Sequence, residues 1–184
     1  MNQIIKPQIV KEVYPFLCIF PTTLLNSEKI VVIGHNYLLL SLNCLKYHIH
    51  NQYKLLSCIS GVDLIECSYR FCVVYDLLSL THNSRLRAKV FVNEITSVDS
   101  LVDLYINSDW WEREIWDLYG IYFNNHPDLR RILTDYGFEG YPMRKDFPLS
   151  GHVELKYDHN KKRIVVEPLQ LSQEFRSFTF EIPW

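Results

Sequence analysis

Apolar positions recur along the chain at two spacings, and the switches between them lay out the elements. Lys29 to Ile33 is a short β-branched run, a strand ended by Gly34. Leu38, Leu42 and Leu45 then fall on one helical face, predicting a helix over Tyr37 to Tyr47 with Asn36 as its cap. Tyr53 to Ile59 reads as a strand broken by Gly61. Two alternating arms follow, Arg70 to Ser79 and Arg85 to Glu94. Phe71, Val73, Tyr75 and Leu77 share one side of the first arm, and Leu86, Ala88, Val90 and Val92 share one side of the second. His82 and Asn83 lie in the connector and suit a turn, so the arms predict a hairpin. Thr96 and Asp99 have capping-box spacing before Leu101, Val102, Leu104 and Tyr105, which predicts a short helix.

The strongest helical stretch begins at Asp109. Asp109 is placed to cap it, with Glu112 completing a capping box. Trp111, Ile115, Leu118 and Tyr119 share a face, Arg113 and Asp117 are one turn apart and placed to pair, and Gly120 suits the left-handed position that ends a helix. Beyond Gly120 the periodicity vanishes. Four of the six glycines and three of the eight prolines lie between Gly120 and Gly151, mixed with Tyr136, Phe138, Tyr141 and Phe147. Arg130, Arg131, Arg144 and Lys145 are balanced by Asp128, Asp135, Glu139 and Asp146. Irregular, aromatic and charge-balanced segments of this length are uncommon inside a domain and point to a surface ordered by a partner. Alternation resumes at Val153, Leu155 and Tyr157 and at Ile164 and Val166, a second hairpin around Asp158 to Lys161. A lone two-stranded ribbon needs support from the domain or a partner. The tail, with Phe175, Phe178, Phe180 and Trp184, reads as an arm lying along another surface.

The predicted fold class is α/β or α+β: a mixed sheet of about four strands backed by helices, then an irregular extension with a small hairpin. Residues 1–125 form the core domain and residues 126–184 a partner-docking segment. Residues 1–27 have no clear reading beyond a short helix from Gln8 to Tyr14, which Pro15 and Pro21 keep from growing.

The stretch ERE at 112–114, Asp117, His126, PDLRRIL at 127–133 and DYGFEGYPMRKDFPLSG at 135–151 resembles the thirty-kilodalton subunit of respiratory complex I, of the mitochondrially encoded type. The resemblance is strong from about Phe71 to Phe180 and weak before Gly61. It departs from the family pattern at Tyr141, where a histidine is expected, and at Met143, where Leu or Phe is expected. The resemblance implies a structural subunit in the hydrophilic arm of NADH:ubiquinone oxidoreductase, whose electron transfer drives proton translocation. It implies no cofactor in this chain, the FMN and iron–sulfur clusters belonging to partner subunits. It implies a peripheral place on the matrix side of the mitochondrial inner membrane, in a hetero-oligomer. The chief expected partner is the quinone-site subunit related to hydrogenase large subunits. The expected interface residues are Glu112, Arg113, Glu114, Asp117, His126, Asp128, Arg130, Arg131, Arg144, Lys145, Asp146 and Phe147. The same resemblance makes His126 a structural hinge.

Composition narrows the alternatives. With 184 residues, 48% hydrophobic, the chain has ample material for one core, and a net charge of −2 disfavours nucleic acid as a partner. No apolar run reaches the length of a membrane span. The five cysteines, Cys18, Cys44, Cys58, Cys67 and Cys72, lack the pattern of a disulfide framework or a cluster site and read as buried reduced thiols. No nucleotide-binding glycine motif is present. Alanine occurs once, at Ala88, while residues with A/T-rich codons abound. That bias predicts an organellar gene, as does the lack of a recognisable import signal. His48 and His50 alone make a weak metal signal. The rival functional reading is a stand-alone enzyme using Glu112, Glu114, Asp117 and His126.

Overall fold

Alternating, β-branched segments of the first ninety-odd residues assemble into one mixed sheet. The computed structural model describes residues 17–20, 29–176, 178 and 180. Its strands are β1 (Leu17–Phe20), β2 (Lys29–Ile33), β3 (Leu55–Asp63), β4 (Phe71–Ser79) and β5 (Ser84–Val92), in the spatial order β1-β2-β5-β4-β3. Within this sheet β2 and β5 run parallel, and the β1–β2, β3–β4 and β4–β5 pairings are antiparallel. The fifth strand, β1, lies in the stretch that carried no clear sequence signal. The expected helix from Gln8 to Tyr14 lies outside the described residues.

β2 and β3 are far apart in the sheet, and helix α1 (Leu38–Tyr47) joins them. It is entered through a single 3-10 turn at His35–Tyr37, closed by Tyr37 N–H to Gly34 O at 2.9 Å. That turn replaces the expected side-chain cap from Asn36. Leu38, Leu42 and Leu45 are buried as their spacing demanded, against Val31, Ile33, Val73, Tyr75, Ala88 and Val90. Ile115 and Tyr119 of helix α2 (Ser108–Tyr119) enter the same cluster.

Three local expectations give way to tertiary contacts. β3 does not stop at Gly61 but runs two residues further. A Cβ at Gly61 would sit 2.7 Å from the ring of Tyr119, so the glycine marks where α2 approaches the sheet. The short helix expected over Leu101 to Tyr105 is a single turn, with Leu104 and Tyr105 N–H both donating to Leu101 O. The preceding residues instead form β6 (Val98–Asp99), parallel to β7 (Phe123–Asn124). Asp109 does not cap α2: the cap position is Asn107, whose amide donates to Leu56 O at 2.7 Å and ties the helix to β3. Gly120 ends α2 in the left-handed conformation, at φ +75°.

The chain divides into two compact units, Met1–Lys145 and Asp146–Trp184. The loop from 126 to 145 therefore belongs with the sheet rather than with the trailing segment, whose start was expected at 126. The second unit holds the expected hairpin, β8 (Val153–Asp158) with β9 (Arg163–Pro168).

Candidate functional site

Helix α2 buries three charged residues: Glu112, Arg113 and Asp117. An ionised group inside a protein persists only if hydrogen bonds replace its water. The two carboxylates meet that need in opposite directions along the helix.

Glu112, with no exposed surface, reaches toward the connection after β6. One oxygen accepts from Ser100 Oγ at 2.6 Å, the other from Leu101 N–H at 2.7 Å. Burial pushes its carboxyl above the usual range, against the Ser100 and Leu101 bonds and the pull of His126, whose Nε2 lies 3.8 Å away. The His126 ring is itself buried. Its Nδ1 lies 3.1 Å from the Asp128 N–H, and its Nε2 faces Asp109 Oδ1 at 3.1 Å. His126 thus pins the loop back to the first turn of α2.

Asp117 faces the loop itself. It accepts N–H groups from Ile132 at 3.2 Å, Leu133 at 2.7 Å and Thr134 at 2.9 Å, plus Thr134 Oγ1 at 2.6 Å. Burial raises its pKa, but these four donors outweigh burial and leave the carboxyl below its ordinary value. Asp117 is thereby committed to the loop rather than to the expected pairing with Arg113. Arg113 Nε donates to Arg130 O at 3.3 Å, with its guanidinium 5.6 Å from the Trp110 ring.

A second attachment closes the loop's far end. Arg144 Nε donates to Tyr119 O at 2.7 Å, and its guanidinium stacks at 4.6 Å on Tyr141 and 5.0 Å on Phe71. Arg131 lies on Tyr141 at 5.0 Å, with NH1 3.7 Å from Asp117. Tyr141, one of the two departures from the expected pattern, is thus the plate on which both guanidinium groups rest. The next residue, Lys145, donates its backbone N–H to Asp63 at 2.8 Å. Asp63 also receives Arg70, whose other arm reaches Glu94 at 2.5 Å. The Arg70 bonds, then that of Lys145, hold Asp63 below the usual carboxylate range despite burial.

The twelve expected interface residues therefore separate. Glu112 with His126, and Asp117 with Arg131, are drawn together inside the first unit. Arg113 and Arg144 are largely engaged there as well. Asp128 and Arg130, paired at 3.0 Å, remain on the surface, as do the side chains of Lys145 and Asp146. Glu114 is half-buried, and so is Phe147, edge-on to His152 at 5.3 Å. Sequence reasoning missed Asp63, Arg70 and Glu94. They sit at the ends of β3, β4 and β5, where charges flank apolar runs; that placement was the only signal.

An acid–base centre does not emerge from this geometry. Glu112 and Asp117 turn to different segments and spend their lone pairs on backbone and hydroxyl donors. Among the described residues, no group of three or more His, Cys, Asp or Glu side chains is placed to hold a metal ion. No helix among them is long and apolar enough to cross a membrane.

Residues 31–153 match the family model described as the respiratory-chain NADH dehydrogenase, 30 Kd subunit. The NADH-ubiquinone oxidoreductase subunit 9 of Reclinomonas americana is 59% identical over 76% of this chain and 69% of its own. The protein of the same name from Prototheca wickerhamii is 53% identical over 86% of this chain and 82% of its own. The NADH dehydrogenase [ubiquinone] iron-sulfur protein 3 of Arabidopsis thaliana is 53% identical over 81% and 78% respectively. Among solved structures, a chain of the membrane-bound sulfane sulfur reductase, an archaeal respiratory membrane complex, shares the fold. Its TM-score is 0.64 at 20% identity, over 77% of this chain and 83% of that one.

Proposed function

This chain belongs to the respiratory-chain NADH dehydrogenase 30 Kd subunit family and is a structural subunit of NADH–ubiquinone oxidoreductase; on that premise we propose that it braces the quinone-site subunit. That partner is the one related to hydrogenase large subunits. The chain carries no redox centre: FMN and the iron–sulfur clusters belong to other subunits. Its place is the matrix face of the mitochondrial inner membrane.

One observation supports the bracing role above the others. The loop from His126 to Lys145 has almost no regular backbone pairing, yet Asp117, His126, Arg144 and Lys145 tie it to its own unit. A loop held this way presents a fixed shape without needing the partner to order it, which lowers the entropic cost of docking. On that fixed shape Arg130 keeps its side chain 70% exposed, paired among the described residues with surface Asp128. An exposed pair of this kind contributes little to folding, so Arg130 is free to exchange Asp128 for a carboxylate on another subunit.

The test is to isolate the chain from native membranes and compare wild type with Arg130→Glu. The wild-type chain is expected within a very large flavin- and iron-containing assembly. Arg130→Glu should lower its recovery there about tenfold, a change near 1.4 kcal/mol, with unchanged melting of the isolated chain. Stoichiometric iron or flavin on the isolated chain, or normal assembly of the variant, would remove the proposal.

A further inference from the structure

The hairpin of the second unit is built with its polar face satisfied and its apolar face open. Cross-strand register places Val153 opposite Pro168, Leu155 opposite Val166 and Tyr157 opposite Ile164. Directly opposed residues share a face, so these six form one apolar strip. The alternate pairs are Glu154 with Glu167, Lys156 with Val165 and Asp158 with Arg163. Two glutamates directly opposed would repel, but Lys156 lies between them, 2.5 Å from Glu154 and 3.6 Å from Glu167. The charged face therefore holds its two glutamates about a single shared lysine.

Exposure does not follow polarity, although Lys156 and Arg163 of the charged face are exposed. Val153, Leu155, Tyr157, Ile164 and Val166 are 55–67% exposed, whereas Glu154, Asp158 and Glu167 are only half-exposed. Soluble surfaces seldom leave such a strip open unless something covers it. The turn at its end adds a sign. Lys161, Lys162 and Arg163 crowd there, and Asp158, 3.7 Å from Lys161, is the acid among them. The tip therefore carries a net positive charge beside the open strip.

We infer that the Val153–Pro168 ribbon docks by its apolar face onto an apolar shelf bordered by carboxylates on another subunit of the assembly. This rests on the reading of the chain as a subunit and adds which face docks and what chemistry receives it. The receiving surface must bury Leu155 and Val166 at its centre and meet Lys162 and Arg163 with Asp or Glu at its edge. A second copy of this chain fits poorly, since the acids of its ribbon lie on the face opposite the apolar strip, Glu154 and Glu167 beside Lys156 and Asp158 beside Lys161.

The experiment uses the complete chain in the native assembly. A benzophenone side chain placed at Leu155 is photolysed in the membrane-bound complex, and the linked peptide is sequenced. The expected product joins position 155 to another subunit, at an apolar stretch with Asp or Glu within a few residues. In parallel, Leu155→Asp should lower recovery of the chain in the assembly at least tenfold. Lys162→Glu with Arg163→Glu should lower its retention at low salt severalfold and flatten the salt dependence of its release. Melting of the isolated chain's first unit should not move. Cross-linking to lipid, to a second copy or to a peptide of the same chain overturns the inference. So does normal assembly of Leu155→Asp, and in that case the chain still co-purifies with the complex and its identity as a subunit stands. A wild-type chain that never co-purifies overturns both.

Discussion

The loop at 126–145 and the ribbon at 153–168 both follow helix α2, and they solve the problem of stability by opposite means. The loop has little backbone pairing but abundant side-chain anchors, chief among them the Asp117 carboxylate with three consecutive amides. The ribbon has a full ladder of strand pairing but an apolar face left open. Regular hydrogen bonding is thus a poor guide to which segment stands on its own. An irregular loop is rigid when its amides have buried acceptors. A regular hairpin is marginal in water when its apolar face has no cover.

The largest expected effect comes from removing the loop's acceptor. Asp117→Ala leaves the amides of 132–134 without their carboxylate and should destabilise the first unit by about 3 kcal/mol or more. Thermal unfolding of the isolated chain should move down by roughly 10 °C. Hydrogen exchange sharpens the result: in wild type, the amides of 132–134 should exchange more slowly than those of the ribbon, and the variant should erase the difference. Ribbon amides as slow as those of β4 and β5 in the isolated chain would break the comparison.

A smaller loss is expected at Gly120. Alanine there must adopt φ +75° and place its Cβ 2.6 Å from the Tyr141 ring and 2.9 Å from Arg144. The cost is about 2–3 kcal/mol, from the left-handed backbone and the displaced ring together. It should fall on the loop's far end, speeding exchange around Met143 and Arg144 while leaving the ribbon unchanged.

The smallest effect is a change of slope with pH. Asp117 titrates below its ordinary 3.8 when folded, so its contribution is present above that value and is lost as pH falls through the folded pKa. Glu112 is raised above 4.5, so its sign is reversed: its contribution is present below 4.5 and is lost as pH rises through the folded pKa. Glu112→Gln keeps the shape and removes that second component. Stability of the variant should therefore fall less than that of wild type as pH rises above 4.5. Denaturant titrations at several pH values read this directly, and parallel curves would contradict it.

How far the sequence alone reached depends on the range of the interaction involved. Local period was enough for α1, for the β4–β5 hairpin, for the C-terminal ribbon and for the end of α2 at Gly120. In each, the pattern is repeated every two to four residues and the solvent-to-core axis is the only thing being read. The family motif from ERE to PLSG was legible for the same reason, as a contiguous string. What the string could not state was where its charges point. Glu112 looked like half of a capping box, but Ser100 and Leu101 outbid the helix end because they lie in a buried connection between two-residue strands. Nor could the string state that Arg144 lies among Tyr119, Tyr141 and Phe71 once the chain has turned back. Asp63, 82 residues before the amide it receives at Lys145, was marked only as a charge at the end of an apolar run. Hydrophobic burial is nearly independent of partner and is set by sequence period, whereas a buried charge is satisfied only by particular donors at hydrogen-bond distance. Those donors come from distant segments, and only the folded chain brings them together.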